Sequence, residues 1–165
     1  MDYLGLKTQR ISATVVALNK LLADYQVYYQ NLRSFHWNIS GENFFDLHNR
    51  FEELYNDARL KIDELAERIL TLRERPLSRL SDYLSTADVE EAEYTHTDRE
   101  MVKIILKNHR ILIADMRQVL ELAEEAKDEG TTDMIGGFLA GLEKDSWMLD
   151  AWRTRKSELD FVNQN

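Results

Sequence analysis

The chain has 165 residues, enough for one domain with a buried core, and it contains one Pro, six Gly and no Cys. The absence of Cys excludes a disulfide scaffold and a thiolate metal site. A formal charge of −9 without any basic block disfavours a protein that works mainly by binding nucleic-acid phosphates; it suits cationic partners, although solubility alone is the simpler explanation.

The chain begins with MDYLGLKTQR, which lacks the apolar segment of a secretion signal. No later apolar run is long enough to span a membrane. A cytoplasmic location is therefore the default expectation.

Apolar residues recur every three or four positions and predict four long helices. The first helix is expected from about residue 9 to 37. The second is expected from about 43 to 73, and it stops before Pro76, which cannot continue a helix.

A long mixed connection follows over residues 76–96, with a short helix expected around Leu77 to Tyr83. A connection of this length can cross a bundle from one end to the other. Two helix pairs joined by one long crossover are the connectivity of ferritin-like proteins. The sequence therefore predicts an all-α, ferritin-like four-helix bundle, with the crossover between the second and third long helices.

The third helix is expected to open at Thr97, where T-D-R-E forms a capping box with Glu100, and to run to about Asp128. Gly130 is expected to end it as a C-cap glycine. The fourth helix is then expected to start near Thr132.

Four potential metal ligands lie on one side of the second helix. His48 and Glu52 are four residues apart, as are Asp63 and Glu67, so each pair shares a helix face. With His48 at zero on a helical wheel, the other three lie at roughly 40°, 60° and 100°. The centre of the apolar stripe lies roughly 130° from the middle of this arc. The arc therefore points away from the chain's own core.

A single chain cannot bring these four side chains to one metal. His48 and Asp63 are separated by roughly 22 Å along a helix, whereas metal–ligand bonds are about 2 Å long. However, the pairs His48–Glu67 and Glu52–Asp63 share one midpoint, between residues 57 and 58. Two such helices, antiparallel about a two-fold axis, would set each residue against the other member of its pair in the partner. The spacing predicts two equivalent clusters per dimer, each with ligands from both chains.

His36 is a fifth candidate ligand, at the end of the first helix. Gly41 opens a short turn into the second helix, and that turn can bring His36 close to His48. The set then holds two imidazoles and three carboxylates, which suits iron, manganese or zinc. Carboxylate-rich sites in helical bundles hold di-iron centres.

The segment HWNISGENFFDLHNRFEELYNDARLKIDELAERI resembles the signature of the Dps proteins, or mini-ferritins, and the resemblance extends over nearly the whole chain, including GLEKDSWML. It implies one domain over residues 1–165 and a hollow shell of twelve subunits. It also implies a ferroxidase centre for two irons at each two-fold interface, with His36, His48 and Glu52 from one subunit and Asp63 and Glu67 from the other. The implied activity is oxidation of Fe(II), commonly with hydrogen peroxide, and storage of the ferric mineral, which protects against oxidative damage.

The resemblance also suggests secondary sites and departures. Family members often have Asp where this chain has Glu52. The position near the mineral nucleation site is Asn49, which leaves Glu53 and Glu52 as candidates there. The first part of the fourth helix lines three-fold pores in the family. Asp133 and Glu143 are therefore candidates for the route by which iron enters.

The alternative function is DNA compaction. Many Dps proteins bind DNA through a Lys-rich N-terminal tail, but residues 1–10 contain only Lys7 and Arg10 against Asp2. Basic residues of the C-terminal segment, such as Arg155 and Lys156, sit beside acids. DNA binding is therefore not expected. A third interpretation is a helical oligomer in which the acids bind no metal, and metal titration would separate it from the first.

Other histidines and tryptophans have simpler interpretations. His96 falls before the third helix and is interpreted as part of its lead-in, and His109 as a structural residue. Trp37 is expected in the core or in an interface, where it could also take up an oxidising equivalent. Trp147 and Trp152 are expected in the core.

Overall fold

The computed structural model describes residues 4–6, 8–93 and 97–154, and these residues form helices and no strands. The helices are α1 (Thr8–Asn38), α2 (Phe44–Thr71), α3 (Leu80–Thr86), α4 (Asp98–Ala126) and α5 (Glu129–Arg153). Four are long, and α3 is a short helix in the connection between α2 and α4. The predicted all-α bundle with a long crossover is confirmed.

The core lies between the four long helices, where α1 packs against α2 and α4, and α5 packs against α4. The apolar seam predicted for the first helix is buried, as Leu18, Leu22 and Leu32 show. Burying one such side chain stabilises the fold by about 1.5–3 kcal/mol. A seam of this length therefore strongly favours the bundle.

Buried polar residues of α1 hold the crossover in place. The carboxylate of Asp24 is inaccessible to solvent and accepts hydrogen bonds from the backbone N–H groups of Asp88 and Val89, both at 2.7 Å. The side chain of Asn31 donates to the carbonyl oxygen of Glu90 at 2.9 Å. Backbone groups of an irregular segment need such partners when they are buried. The path of the crossover is thus fixed by α1.

A charged cluster surrounds Asp24. The Nζ atom of Lys20 lies 2.7 Å from Asp24, 2.9 Å from Asp88 and 3.6 Å from Asp115. Burial and the neighbouring Asp24 carboxylate raise the pKa of Asp115 from 3.8 to about 7. The folded chain therefore keeps a proton that the unfolded chain releases, and the stability contributed by Asp115 falls as the pH rises from 3.8 to 7.

The boundary between α4 and α5 differs from the prediction. The capping box at Thr97 opens α4 as expected, but Gly130 does not end that helix. Lys127 ends it instead, in a left-handed conformation with a φ of 61°. The next helix begins at Glu129 rather than near Thr132, and Gly130 lies in its first turn.

A buried ion pair explains this boundary. Asp128 caps α5 by accepting a hydrogen bond from the backbone N–H of Thr131 at 3.1 Å, and its buried carboxylate also pairs with Arg68 of α2. A Cβ atom on Gly130 would lie 3.0 Å from the Arg68 guanidinium. Gly130 therefore makes room for Arg68 and is not needed for a left-handed turn.

The short helix of the crossover starts later than the sequence predicts, at Leu80 rather than near Leu77. The backbone N–H of Leu77 donates to the side chain of Asn19 at 2.8 Å, and Arg79 is extended with φ −108° and ψ 140°. The bond to α1 keeps Leu77 outside the helix.

His109 is buried among polar partners, as its structural interpretation requires. One ring nitrogen lies 2.7 Å from the hydroxyl of Tyr28 and the other lies 2.8 Å from that of Ser146. Burial lowers the pKa of His109 from 6.5 to about 3. The unfolded histidine takes up a proton below pH 6.5 while the folded one does not, so this contribution to stability is lost as the pH falls from 6.5 towards 3.

The two tryptophans of α5 differ, since Trp147 lies outside the core whereas Trp152 packs against it. Trp147 is 67% exposed, which makes the prediction of a core position wrong, and Trp152 is half-buried.

Among the described residues, every helix is too short or too polar to cross a bilayer. Five residues used in the sequence-based predictions lie outside the described part of the chain: Asp2, Lys7, His96, Arg155 and Lys156.

Candidate metal centre

His36 and His48 face each other across the turn between α1 and α2. The Nδ1 atom of His36 lies 2.8 Å from the carbonyl oxygen of His48, and the Nδ1 atom of His48 lies 2.9 Å from the carbonyl oxygen of His36. The two rings are stacked with their centroids 3.8 Å apart. The predicted approach of the two histidines is confirmed.

These reciprocal bonds determine which nitrogen of each ring can bind a metal. A carbonyl oxygen only accepts hydrogen bonds, so Nδ1 of each imidazole must carry the hydrogen. The neutral ring then has its lone pair on Nε2. Metal-bound histidines are commonly held this way, through a bond from the other ring nitrogen. The turn therefore presents two imidazoles prepared to act as ligands.

The turn itself is built by local geometry. Gly41 has a φ of 98°, a conformation that costs glycine little, and its carbonyl oxygen accepts a bond from the N–H of Phe44 at 3.2 Å. The side chain of Asn43 donates to Asp98 of α4 at 2.6 Å. These contacts fix where α2 starts relative to α1, and hence where His48 lies relative to His36.

Aromatic rings enclose the histidine pair on both sides. The ring of Phe44 stacks on His48 with centroids 4.9 Å apart, and the ring of Tyr55 meets His36 edge-on at 5.3 Å. Burial and the Glu52 carboxylate, which accepts a hydrogen bond from the hydroxyl, raise the pKa of Tyr55. Phe44 and Tyr55 were not predicted as site residues from the sequence, although Phe44 lies one turn before His48 and Tyr55 one turn after Glu52.

The acidic candidates lie on the exposed side of α2. Glu52, Asp63 and Glu67 are all exposed. The buried residues of this helix occupy the opposite side: Leu47, Phe51, Leu54, Ala58, Lys61, Leu65 and Ile69. The expectation that the arc points away from the core is confirmed.

Within the described part of one chain, no three His, Asp or Glu side chains come together around a possible metal position. His36, His48 and Glu52 lie towards one end of α2, and Asp63 follows Glu52 only after roughly 16 Å of helix. One chain thus brings His36 and His48 together, places Glu52 one turn after His48, and holds Asp63 and Glu67 apart from them.

The secondary candidates have positions of different kinds. Glu53 is exposed and forms an ion pair with Arg50 at 2.9 Å, and Glu143 forms one with Arg117 at 2.9 Å. Asp133 is exposed on α5. The arginine partners of both glutamates reduce the local negative charge at these two positions.

Trp37 lies beside the centre and is 59% exposed, so it is not a core residue of this chain. The guanidinium carbon of Arg33 lies 4.8 Å from the centre of its ring. Its exposed ring belongs to the residue that follows the candidate ligand His36 in the chain.

Comparisons with known proteins show the family to which this chain belongs. A family model described as a ferritin-like domain matches residues 15–157. The DNA protection during starvation protein of Porphyromonas gingivalis is 46% identical, over 94% of this chain and 98% of that protein. The protein of the same name from Brevibacillus brevis is 40% identical, over 89% of this chain and 99% of its own length.

Solved structures are similar as well. A Dps protein from Vibrio cholerae O1, described as a member of a broad superfamily of ferritin-like diiron-carboxylate proteins, superposes with a TM-score of 0.90 at 45% identity, covering 93% of this chain and 97% of that one. A Dps protein from Bacillus brevis superposes with a TM-score of 0.87 at 40% identity, covering 90% of this chain and all of the other, 100%.

Proposed function

This chain belongs to the Dps family of ferritin-like proteins, and we propose that it is a ferroxidase that stores iron. It oxidises Fe(II), with hydrogen peroxide as the leading candidate for the oxidant and dioxygen as the other. It then keeps the ferric mineral inside a hollow homo-dodecamer. Removing Fe(II) and peroxide together suppresses the formation of hydroxyl radicals in the cytoplasm, where we place this single-domain protein.

The proposed centre is shared between two subunits. One subunit contributes His36, His48 and Glu52, and its partner contributes Asp63 and Glu67. The observation that carries this proposal is the pair of stacked imidazoles, each fixed through Nδ1 to a carbonyl oxygen with its Nε2 lone pair available. Mixed nitrogen and oxygen ligands of this kind suit Fe(II).

The protein's contribution to the chemistry is to hold two substrate irons close together. The carboxylates offset the positive charge of the metals, and the imidazoles fix one of them in position. Peroxide takes one electron from each Fe(II) and, with two protons, becomes two molecules of water. Phe44 supports the imidazole pair by stacking on His48, and Tyr55 supports it by an edge-on contact with His36.

Secondary roles follow the same proposal. Asp133 and Glu143 would line the route by which iron enters the shell, and Glu53 would nucleate the mineral. DNA compaction is the alternative function, and it is suggested by the names of the relatives. No contact or charged surface among the described residues favours it over ferroxidase activity.

Fe(II) oxidation kinetics with hydrogen peroxide test the proposal. The wild type should oxidise Fe(II) rapidly, and His36→Ala and Glu67→Ala should each lose most of the rapid phase, because each removes a ligand. Glu64→Ala is the matched control, since Glu64 is an exposed acid of α2 that lies roughly 60° beyond Glu67, outside the arc. Wild-type rates in both ligand variants, or a wild type no faster than buffer, would overturn the proposal.

A further inference from the structure

The exposed side of α2 carries large apolar side chains as well as the proposed ligands. Phe45, Leu60 and Leu70 are 76%, 53% and 58% exposed. With His48 at zero on the helical wheel, they lie at roughly 60°, 120° and 40°. They therefore fall within or beside the arc that holds the acidic ligands. Exposed apolar side chains that share one helix face indicate an interaction surface.

The positions of these side chains obey the symmetry of the ligand pairs. The midpoint of Phe45 and Leu70 falls between residues 57 and 58, as it does for His48 and Glu67. Antiparallel α2 helices that bring the ligands together would also set Phe45 against the partner's Leu70. The same arrangement sets Leu60 level with the partner's Tyr55 along the helix axis, but the two positions lie roughly 140° apart on the wheel and do not face each other. Two of the three large apolar side chains exposed on α2, Phe45 and Leu70, then each meet an apolar partner.

We infer that Phe45 and the partner's Leu70 form an apolar contact at the outer rim of each shared centre, and that this contact fixes the register of the two α2 helices. The inference rests on the proposed function, since it takes the shared centre as its starting point. The partner on this surface is a second copy of the same chain, because the apolar positions match one another only under the two-fold operation.

Local contacts tie this rim to the ligands. Phe45 lies one turn before His48, and its ring meets the ring of Phe44 edge-on at 5.2 Å, while Phe44 stacks on His48 at 4.9 Å. Leu70 likewise lies one turn after Glu67. The ligands of each cluster are therefore flanked along the helix by an apolar pair on the outer side.

The apolar pairs also disfavour other registers. A slip of three residues would set Phe45 against the partner's Glu67, and burying a carboxylate against a ring is costly. A slip of four in the other direction would carry Phe45 past the end of the partner's α2 at Thr71 and set Leu70 against the partner's Asn49. Of these three registers, only the one that assembles the ligands sets Phe45 against the partner's Leu70.

Cysteine cross-linking tests the contact directly, because the natural chain has no Cys. The double variant Phe45→Cys/Leu70→Cys should form disulfide-linked dimers under mild oxidation. The two positions are roughly 37 Å apart along one α2, so the bridge can only join two chains. Both bridges of a two-fold pair link the same two chains, so the product should stop at the dimer.

Two variants serve as controls for the register. Phe45→Cys alone should give no cross-link, because the two copies of residue 45 are separated by roughly 37 Å in the proposed pairing. Phe45→Cys/Leu60→Cys should also fail, since the second position is displaced by roughly 15 Å from the matched one. Absence of dimer in the matched variant, a ladder of larger multiples, or equal cross-linking of the controls would overturn the inference.

Charge substitutions give an independent test without oxidation. Phe45→Lys and Leu70→Glu should each weaken the two-fold contact about tenfold or more, measured by sedimentation as a loss of the full assembly in favour of smaller species. Both changes in one chain should restore it, because each new lysine then faces a new glutamate. Val16→Lys, on the exposed side of α1, should leave the dimer unchanged. A double variant as weak as the single variants would contradict the pairing.

These tests separate the contact from the proposed function, since neither needs iron. If the matched cysteines link but the protein does not oxidise Fe(II), the contact stands and the proposed function falls. If Fe(II) is oxidised at a centre shown to be shared and the matched cysteines do not link, the contact falls and the function stands.

Discussion

Mixed assemblies of two inactive variants give a quantitative prediction for the shared centre. One chain carries His36→Ala and the other carries Glu67→Ala. Each cluster takes His36 from one chain and Glu67 from its partner, so in a mixed dimer both defects fall in the same cluster. The other cluster keeps both wild-type residues, and the mixture should regain activity that neither parent has.

The size of the rescue follows from the two-fold geometry. When equal amounts of the two chains pair at random, half of the dimers are mixed, and each mixed dimer has one intact cluster out of two. About one quarter of all clusters are then intact, so the initial rate should reach about one quarter of the wild-type rate. A site within one chain cannot explain such a rescue, since His48 and Glu67 are separated by roughly 28 Å along α2.

The assay is the initial rate of Fe(II) oxidation after the two variants are unfolded together and refolded, with native mass spectrometry to show that assemblies contain both chains. The matched control is a mixture of His36→Ala with His48→Ala. These ligands come from the same chain, so every cluster of a mixed dimer stays defective and no rescue is expected. Equal rates in the two mixtures would refute the shared centre.

Three further predictions follow from other parts of the molecule. Below pH 6.5, the free energy of unfolding of the wild type should fall by about 1.4 kcal/mol per pH unit relative to His109→Gln, because the buried imidazole stays neutral. Urea unfolding of the wild type and of His109→Gln at one protein concentration measures this difference, in which the contribution of Asp115 cancels. Parallel plots of unfolding free energy against pH would contradict the prediction. Asp128→Ala should cost about 3 kcal/mol or more, since it removes a helix cap and leaves Arg68 unpaired. As a control, substitution of the exposed Asp133 by Ala should lower the free energy of unfolding by less than about 0.5 kcal/mol in the same thermal or chemical unfolding experiment. Equal losses in Asp128→Ala and Asp133→Ala would show that the pair of Asp128 with Arg68 does not stabilise the fold. In a gel-retardation assay at physiological salt and neutral pH, the protein should retard DNA little or not at all. Tight, salt-sensitive retardation would contradict the expectation that the termini do not bind DNA.

Local chemistry determined much of this protein from the sequence. The four long helices, the capping box at Thr97 and the outward face of α2 all depend on interactions within a few residues, and the helical repeat is fixed by backbone geometry. The same repeat allowed the pairing of His48 with the partner's Glu67 to be proposed from spacing alone. That pairing stays a prediction, whereas the position of its residues on the exposed face of α2 is confirmed.

The tertiary structure decided what depends on residues far apart in the chain. Local rules predict a helix end at Gly130. The helix ends at Lys127 instead, because Asp128 forms a buried pair with Arg68, which lies sixty positions away in the chain. The anchoring of the crossover to Asp24 likewise depends on a separation of 64 residues. No local pattern encodes such contacts, because their free energy arises only when the packed helices bring the groups together and exclude water.

The histidine pair stands between these two cases. The turn at Gly41 made the approach of His36 to His48 predictable. The exchange of Nδ1 bonds with the two carbonyl oxygens, which leaves each Nε2 with its lone pair, required the relative position of α1 and α2. Spacing can place two rings near each other, but the orientation of a ring, and therefore the nitrogen that can bind a metal, is set by its packing partners.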